Sequence, residues 1–329
     1  MTRAALLLAI LGSTASIALA QQDTTQPTPA TPAQTTEAKP KKAEKAPIYD
    51  EKAEAKDQIA AALKKAKKEN RRVLIQWGAN WCGWCHLLHE KVASDKALAK
   101  ELMYEYDVVL IDIGQWNKNM DLATSYGADL KGHGVPYLTV LDASGKTLAN
   151  QETGELEAKD ASEPGHDPAK VMAFLKKYEA TPLLADSVLG DAKAQAKAEG
   201  KKVFLHFGAP WCGWCKRLEA WLDQDQIAKT FGKDYVEVKI DQDRMTGAND
   251  IFARYNKKFA NAGIPWFAIL DPATGDALST SDSKDGNIGF PSKDEEIAHF
   301  VGMLKATRKN LSDSDIAALK TSLEEGRKH

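Results

Sequence analysis

The segment Gly78 to Glu90 reads GANWCGWCHLLHE, and Gly208 to Ala220 reads GAPWCGWCKRLEA, which puts Cys82 and Cys212 130 residues apart. A second pair of segments keeps almost the same offset. Gly134-Val135-Pro136-Tyr137 and Gly263-Ile264-Pro265-Trp266 have their prolines 129 residues apart. One residue of drift over such a distance means that the chain holds two copies of one folding unit. The period is too long for a solenoid, whose units run about 20 to 50 residues. A chain of 329 residues also exceeds the roughly 100 to 200 residues of one ordinary domain.

The surroundings of the two blocks follow one order. Helical stretches, Asp57 to Lys68 and Asp191 to Glu199, carry apolar positions such as Ile59 and Leu63 at helical spacing. Short apolar strands follow at Val73 to Trp77 and Val203 to Phe207, and each Trp-Cys-Gly-Trp-Cys segment then opens a helix running through Leu88 or Leu218. The next strands, Val108 to Ile113 and Tyr235 to Ile240, include or lead into Asp112 and Asp241. A polar helical stretch, the Xaa-Pro segment and the strands Tyr137 to Leu141 and Trp266 to Leu270 complete each half. Alternating helices and strands predict an α/β fold, a central sheet covered by helices, in each copy.

The termini and connections read differently. Arg3, the apolar run Ala4 to Leu11 and the small-residue site Ala18-Leu19-Ala20 have the order of a cleavable secretory signal, and the run is short for a spanning helix. Residues 1–20 are therefore expected to be a signal peptide, leaving an exported, soluble protein in a periplasmic or extracellular compartment. Residues 21–49 are expected to be a disordered linker, because 21–47 hold no aromatic residue and almost no large aliphatic one. The two domains then span 50–180 and 181–310, with a C-terminal helix and tail over 311–329. Within the first, Glu155 to His166 reads as a long polar loop, and Asp167-Pro168 caps a helix over Ala169 to Tyr178. Thr181-Pro182 is the expected hinge. Ser312 to Asp315 fits a capping box, ahead of a helix that docks through Ile316, Leu319 and Leu323. With 44 basic and 46 acidic residues and a formal charge of -2, no nucleic-acid partner is expected.

All four cysteines fall in the two C-x-x-C pairs. A disulfide stabilises most by closing a long loop, so a ring enclosing two residues does little for folding. Chemistry explains the spacing better. A Cys that follows a strand and opens a helix lies where unpaired N–H groups and the helix dipole favour an anion, which stabilises its thiolate. The second Cys, one turn on, can attack a mixed disulfide formed by the first. Cys82 and Cys212 are thus the expected nucleophiles, and Cys85 and Cys215 the resolving thiols. Trp81 and Trp211 are expected to shield the centres from below, and Trp84 and Trp214 to meet the substrate. Zinc shared by the two pairs would have to bridge 126 intervening residues, against the usual spacing of about 15 to 20. Copper would lack Met residues clustered beside the thiolates. Neither a metal nor a cofactor is expected.

Trp77 to Leu88 and Phe207 to Leu218, with the two Xaa-Pro sites, resemble the thioredoxin superfamily, specifically secreted bacterial thioredoxin-like proteins with a WCGWC motif. The resemblance runs from about Asp50 to Leu304. It implies a thioredoxin-like fold in each half, a central mixed sheet flanked by helices, with Pro136 and Pro265 as cis-prolines opposite the disulfides. It also implies that the backbone of Val135 and Ile264 pairs with substrate. Six residues before the nucleophile, thioredoxins usually carry a buried Asp that moves the resolving thiol's proton; this chain has Gln76 and His206 there. Gln cannot transfer a proton, whereas His206 can act as a supporting acid–base group or be an ordinary core residue. Glu237 and Asp241 are acidic candidates nearby, with Glu237 standing where thioredoxin often has Lys. His86 follows the first pair and Lys216-Arg217 the second, either as thiolate-stabilising cations or, on the plainer reading, as a solvated helix face. The resemblance implies an exported thiol–disulfide oxidoreductase, a reductase or isomerase of protein or peptide disulfides. Its centres work independently or as an inter-domain relay, with a membrane electron donor or acceptor as a further partner. The rival is a thiol-based metal-binding or chaperone module without redox turnover.

Overall fold

The computed structural model describes residues 46–159, 164–256 and 263–326. The expected signal peptide and nearly all of the expected linker lie outside the described residues. The first repeat comprises α1 (Ala55–Glu69), β1 (Arg72–Gly78), α2 (Gly83–Ser94), α3 (Lys96–Glu105), β2 (Tyr106–Asp112), α4 (Met120–Ser125), α5 (Leu130–His133), β3 (Tyr137–Leu141), β4 (Thr147–Glu152) and α6 (Pro168–Lys177). The second comprises α7 (Ala185–Glu199), β5 (Lys202–Gly208), α8 (Gly213–Leu222), α9 (Asp225–Phe231), β6 (Tyr235–Asp241), α10 (Ala248–Tyr255), β7 (Trp266–Leu270), β8 (Ala277–Thr280), the short pair β9 (Asp282–Ser283) and β10 (Gly286–Asn287), and α11 (Asp294–Thr307). A last helix, α12, covers Asp313–Gly326.

The two main sheets have the orders β2-β1-β3-β4 and β6-β5-β7-β8. In each, the central strand pairs parallel with one neighbour and antiparallel with the other. The α/β architecture is the one the alternating elements predict, and the mixed sheets are those the thioredoxin resemblance implies. Val73, Ile75 and Trp77 of β1 face one apolar layer with Ile59 of α1, while Leu74 faces the other with Leu88 and Leu98. The second repeat does the same with Val203, Leu205 and Phe207 on one side and Phe204, Leu218 and Phe300 on the other. Burial on both faces explains why these strands read as apolar runs.

The capping signals carry through. Asp167 accepts from the N–H of Ala169, and Ser312 and Asp315 exchange bonds at 3.1 and 2.9 Å. Ile316, Leu319 and Leu323 of α12 are buried against the second repeat. At the two ends of the polar loop after β4, Leu156 is buried in a short 3-10 turn, and Glu157 bridges to His166.

The repeats touch through paired polar groups. Arg244, just after β6, donates to Glu105 Oε1 and Oε2 at 3.1 and 2.9 Å and to the carbonyls of Glu69 and Asn70 at 2.7 and 2.8 Å. Those carbonyls end α1, where helix geometry leaves acceptors unpaired and the dipole favours a cation. Lys68 reaches Asp223 at 2.6 Å, and Tyr104 donates to Asp243 at 2.7 Å. The expected hinge is itself bridged, since Asn70 Nδ2 donates to the carbonyl of Thr181 at 2.8 Å.

Candidate active site

Each C-x-x-C pair sits between the end of a central strand and the first turn of a helix. Cys82 is the N-cap of α2 and Cys212 that of α8; both are extended, and each sulfur accepts the N–H of the second cysteine at 3.1 Å. The pairs are disulfides, with S–S distances of 2.14 and 2.02 Å and Cα–Cα distances of 5.3 Å. Residues 83–94 and 213–222 are helical because the sulfur takes the capping role that a hydroxyl usually fills. Cys82 and Cys212 retain 5 and 4% exposure, whereas Cys85 and Cys215 retain 0 and 1%. The first cysteine of each pair is the more accessible residue, as a nucleophile must be.

The folding of each repeat brings the Xaa-Pro segment to that sulfur. Cys82 Sγ lies 3.5 Å from the carbonyl oxygen of Val135, and Cys212 Sγ 3.6 Å from that of Ile264. Both following peptide bonds, Val135–Pro136 and Ile264–Pro265, are cis. A helix-capping disulfide facing a cis-proline thus occurs twice, on two sheets of the same order. The family models agree: a thioredoxin-like domain matches residues 59–163 and a second thioredoxin-like model residues 185–272, together more than half of the chain.

The chain belongs to the thioredoxin superfamily.

Among curated proteins, this thioredoxin-superfamily chain is 29% identical over 208 residues to protein disulfide-isomerase erp38 of Neurospora crassa, covering 62% of this chain and 50% of that one. It is 28% identical over 185 residues to protein disulfide-isomerase 1 of Dictyostelium discoideum, covering 53 and 46%. The chain therefore spans about half the length of the curated relatives it matches. A solved disulphide isomerase from Xylella fastidiosa Temecula1 is 29% identical with a TM-score of 0.35, covering 40% of this chain and 95% of that one.

Around these thioredoxin-like centres the tryptophans are exposed. Trp81 and Trp211, expected to shield the sulfurs from below, are 45 and 57% exposed. Their indoles are drawn instead to the loops after β2 and β6, donating to Gly114 O at 2.7 Å and to Asp243 Oδ2 at 2.9 Å. Trp84 packs edge-on against His166, and Trp214 stacks on Phe290 with the Arg217 guanidinium over both rings. Burial pushes His166 down to about 4, so it is neutral beside Trp84. The solvated helix face fails for His86, which is buried with Nε2 2.9 Å from the carbonyl of Asn80. Lys216 is exposed.

The groups near the resolving sulfurs differ from the thioredoxin pattern and from each other. His206 is fully buried on β5, with Nε2 2.9 Å from Glu237 Oε1. An ionised carboxylate only accepts, so Nε2 carries the proton, leaving Nδ1 buried without a hydrogen bond among the described residues. Burial alone would raise Glu237, but its contacts with His206 and Lys68 outweigh that and hold it down at about 2. What lies beside Cys215 is another pair. A β-carbon on Gly208 would sit 3.2 Å from Cys215 Cβ, 3.4 Å from Glu219 Oε1 and 3.5 Å from Lys239 Cε, and Glu219 and Lys239 are joined at 2.8 Å. Sequence reading missed this pair. Glu219 follows Cys215 by four residues on one helix, the spacing that puts two side chains on one face.

In the first repeat the neighbour is Tyr49, from the end of the expected linker. It is 3% exposed and packs with Cys82 and Cys85. Its phenol accepts a hydrogen bond from Gln76 Nε2 at 2.8 Å. The linker reading fails here because Ile48 and Tyr49 are apolar enough to bury, and Asn80 Oδ1 accepts both of their N–H groups at 2.9 Å.

The two strand-ending glycines should therefore respond differently to substitution. A β-carbon on Gly78 would lie 2.3 Å from Tyr49 Oη and 2.6 Å from Cys85 Sγ. Gly78→Ala is expected to cost about 2 to 3 kcal/mol, the upper part of the range for overpacking. Gly208→Ala meets looser neighbours and is expected to cost under about 1 kcal/mol. Urea denaturation of the two variants checks the contrast, and equal costs would contradict it.

Proposed function

We propose that the protein is an exported thiol–disulfide oxidoreductase that reduces or isomerises disulfides in other proteins. The observation that carries this reading is the helix-capping disulfide with the sulfur of its more accessible cysteine against a Val135 or Ile264 carbonyl, present twice. In the reducing direction, the Cys82 or Cys212 thiolate attacks one sulfur of a substrate disulfide. A mixed disulfide forms, and the other substrate sulfur leaves as a thiolate that takes a proton. The resolving thiol then gives up its proton and attacks the first sulfur, re-forming the intramolecular disulfide and releasing the second substrate thiol. Two electrons and two protons pass to the substrate. The reverse sequence oxidises, and net direction follows the centre's potential against its compartment.

The helix N-terminus supports the attacking thiolate in both centres. In the second, the Glu219 carboxylate beside Cys215 is the group placed to take the resolving proton. The exposed Trp84 and Trp214 give apolar contact area beside the sulfurs for a polypeptide substrate. Arg3, the apolar run and Ala18-Leu19-Ala20 support export to the periplasm or the extracellular space. In that setting a membrane electron donor would keep the dithiols reduced.

The test is insulin reduction by the full chain with dithiothreitol as electron source. B-chain precipitation well ahead of a dithiothreitol blank is expected. A chain that leaves the blank unchanged yet purifies with stoichiometric metal would replace this reading with the metal-binding one.

A further inference from the structure

We propose that Tyr49 supplies the hydrogen-bond donor that stabilises the Cys85 thiolate, so that the first centre is complete only with residues 48–51 docked on it. This rests on the oxidoreductase reading and adds a residue from outside the matched thioredoxin-like domain. The Tyr49 phenol and Cys85 Sγ crowd the same point beside Gly78, within 2.3 and 2.6 Å of where a β-carbon would be. Gln76, at the position of the missing acid, donates to the phenol oxygen at 2.8 Å. That bond occupies an acceptor site and leaves the single O–H free to point at sulfur. Burial pushes the phenol's pKa up, so it keeps its proton and acts as a donor.

The docking of this segment is specific. Asn80 accepts from the N–H groups of Ile48 and Tyr49 and donates to Tyr49 O at 3.0 Å and Glu51 Oε1 at 2.8 Å, while Lys118 donates to Glu51 O at 2.9 Å. The second repeat has Pro210 in place of Asn80, and Leu183 and Leu184 ahead of it are exposed. It has the Glu219–Lys239 pair beside its resolving sulfur instead. The charged group that acts on Tyr49 is Asp112, which ends β2 and lies 3.5 Å from Lys118, and Cys82 and Cys85 pack against Tyr49.

When an external thiolate attacks Cys82 Sγ, the Cys82–Cys85 bond breaks and its electron pair goes to Cys85 Sγ. The O–H of Tyr49 then faces a new anion. In the reverse step the same contact favours the Cys85 thiolate that must form before attack. One hydrogen bond to a charged group corresponds to about a tenfold to hundredfold effect.

The test uses the full chain with Cys212→Ser and Cys215→Ser, which silences the second centre. Cys82 is loaded with thionitrobenzoate, and its release by Cys85 is followed against pH. Tyr49→Phe, which keeps the ring, is expected to slow release about tenfold to hundredfold at neutral pH and to move the midpoint of the pH profile upward. Asn80→Ala, which loosens the segment without touching the sulfurs, should move the midpoint the same way. A Tyr49→Phe chain with an unchanged profile, whatever its melting temperature, overturns the proposal. No release from the unsubstituted first centre would sink the redox reading as well, so the two failures are distinguishable.

Discussion

Replacing Cys82 and Cys212 together by Ser is expected to remove insulin reduction altogether, a loss of at least about a thousandfold, because Ser cannot form the mixed disulfide through which electrons pass. The single variants decide how the centres are organised. Cys82 packs with Tyr49, Cys85 and Val135, and Cys212 with Ala209, Cys215 and Ile264; no residue belongs to both groups. Direct exchange between the centres requires the sulfurs to come within bonding distance, and the contacts of Arg244, Lys68 and Tyr104 oppose the rearrangement that this demands. Each single variant is therefore expected to keep about half of the activity. An inter-domain relay predicts that either one alone abolishes it, and initial rates of the two single variants separate the cases.

The parts of this architecture that could be read from the sequence are those under the strongest local constraint. β3 and β7 coincide with Tyr137 to Leu141 and Trp266 to Leu270, since all five residues of each are buried and read as apolar runs. β4 and β8 escaped because they are edge strands with half-exposed residues such as Asn150 and Ser279 and no apolar run. α3 and α11 escaped for want of a motif to anchor them, although Asp95 caps the first through the N–H groups of Ala97 and Leu98. The cysteine centres were legible because C-x-x-C after a strand is a local pattern. Their acid–base neighbours were not. Tyr49 reaches Cys85 across 36 residues of chain, and Lys239 meets Glu219 only because β6 lies beside β5. Neither juxtaposition has a sequence period. His206 was visible by its offset from Cys212, yet its partner is Glu237 on the neighbouring strand.

Arg244→Ala is expected to destabilise the chain by about 3 kcal/mol or more, the range for removing one partner of a buried, hydrogen-bonded ion pair. The guanidinium is only 8% exposed and the Glu105 carboxylate 17%. Removing it strands that carboxylate along with two helix-terminal carbonyls, Glu69 and Asn70, that are otherwise satisfied. The loss should exceed a local cost because the same interface serves the second centre. Asp243 accepts from Trp211, next to Cys212, and from Tyr104 of the first repeat, and Lys68 of the first repeat lies 3.7 Å from Glu237. Loosening the repeats therefore weakens the contacts that help hold Glu237 down at about 2. Glu237 should move up toward its ordinary range. A carboxylate held low in the folded state stabilises it above the unfolded pKa, and that contribution disappears as pH falls through the folded value. The variant should consequently lose less of its remaining stability than the parent between about pH 4.5 and pH 2. Guanidinium denaturation at neutral pH should resolve two transitions where the parent shows one, and the same titration in acid should show the narrowed difference. A single unshifted transition would mean that the repeats are held together by something other than this arginine.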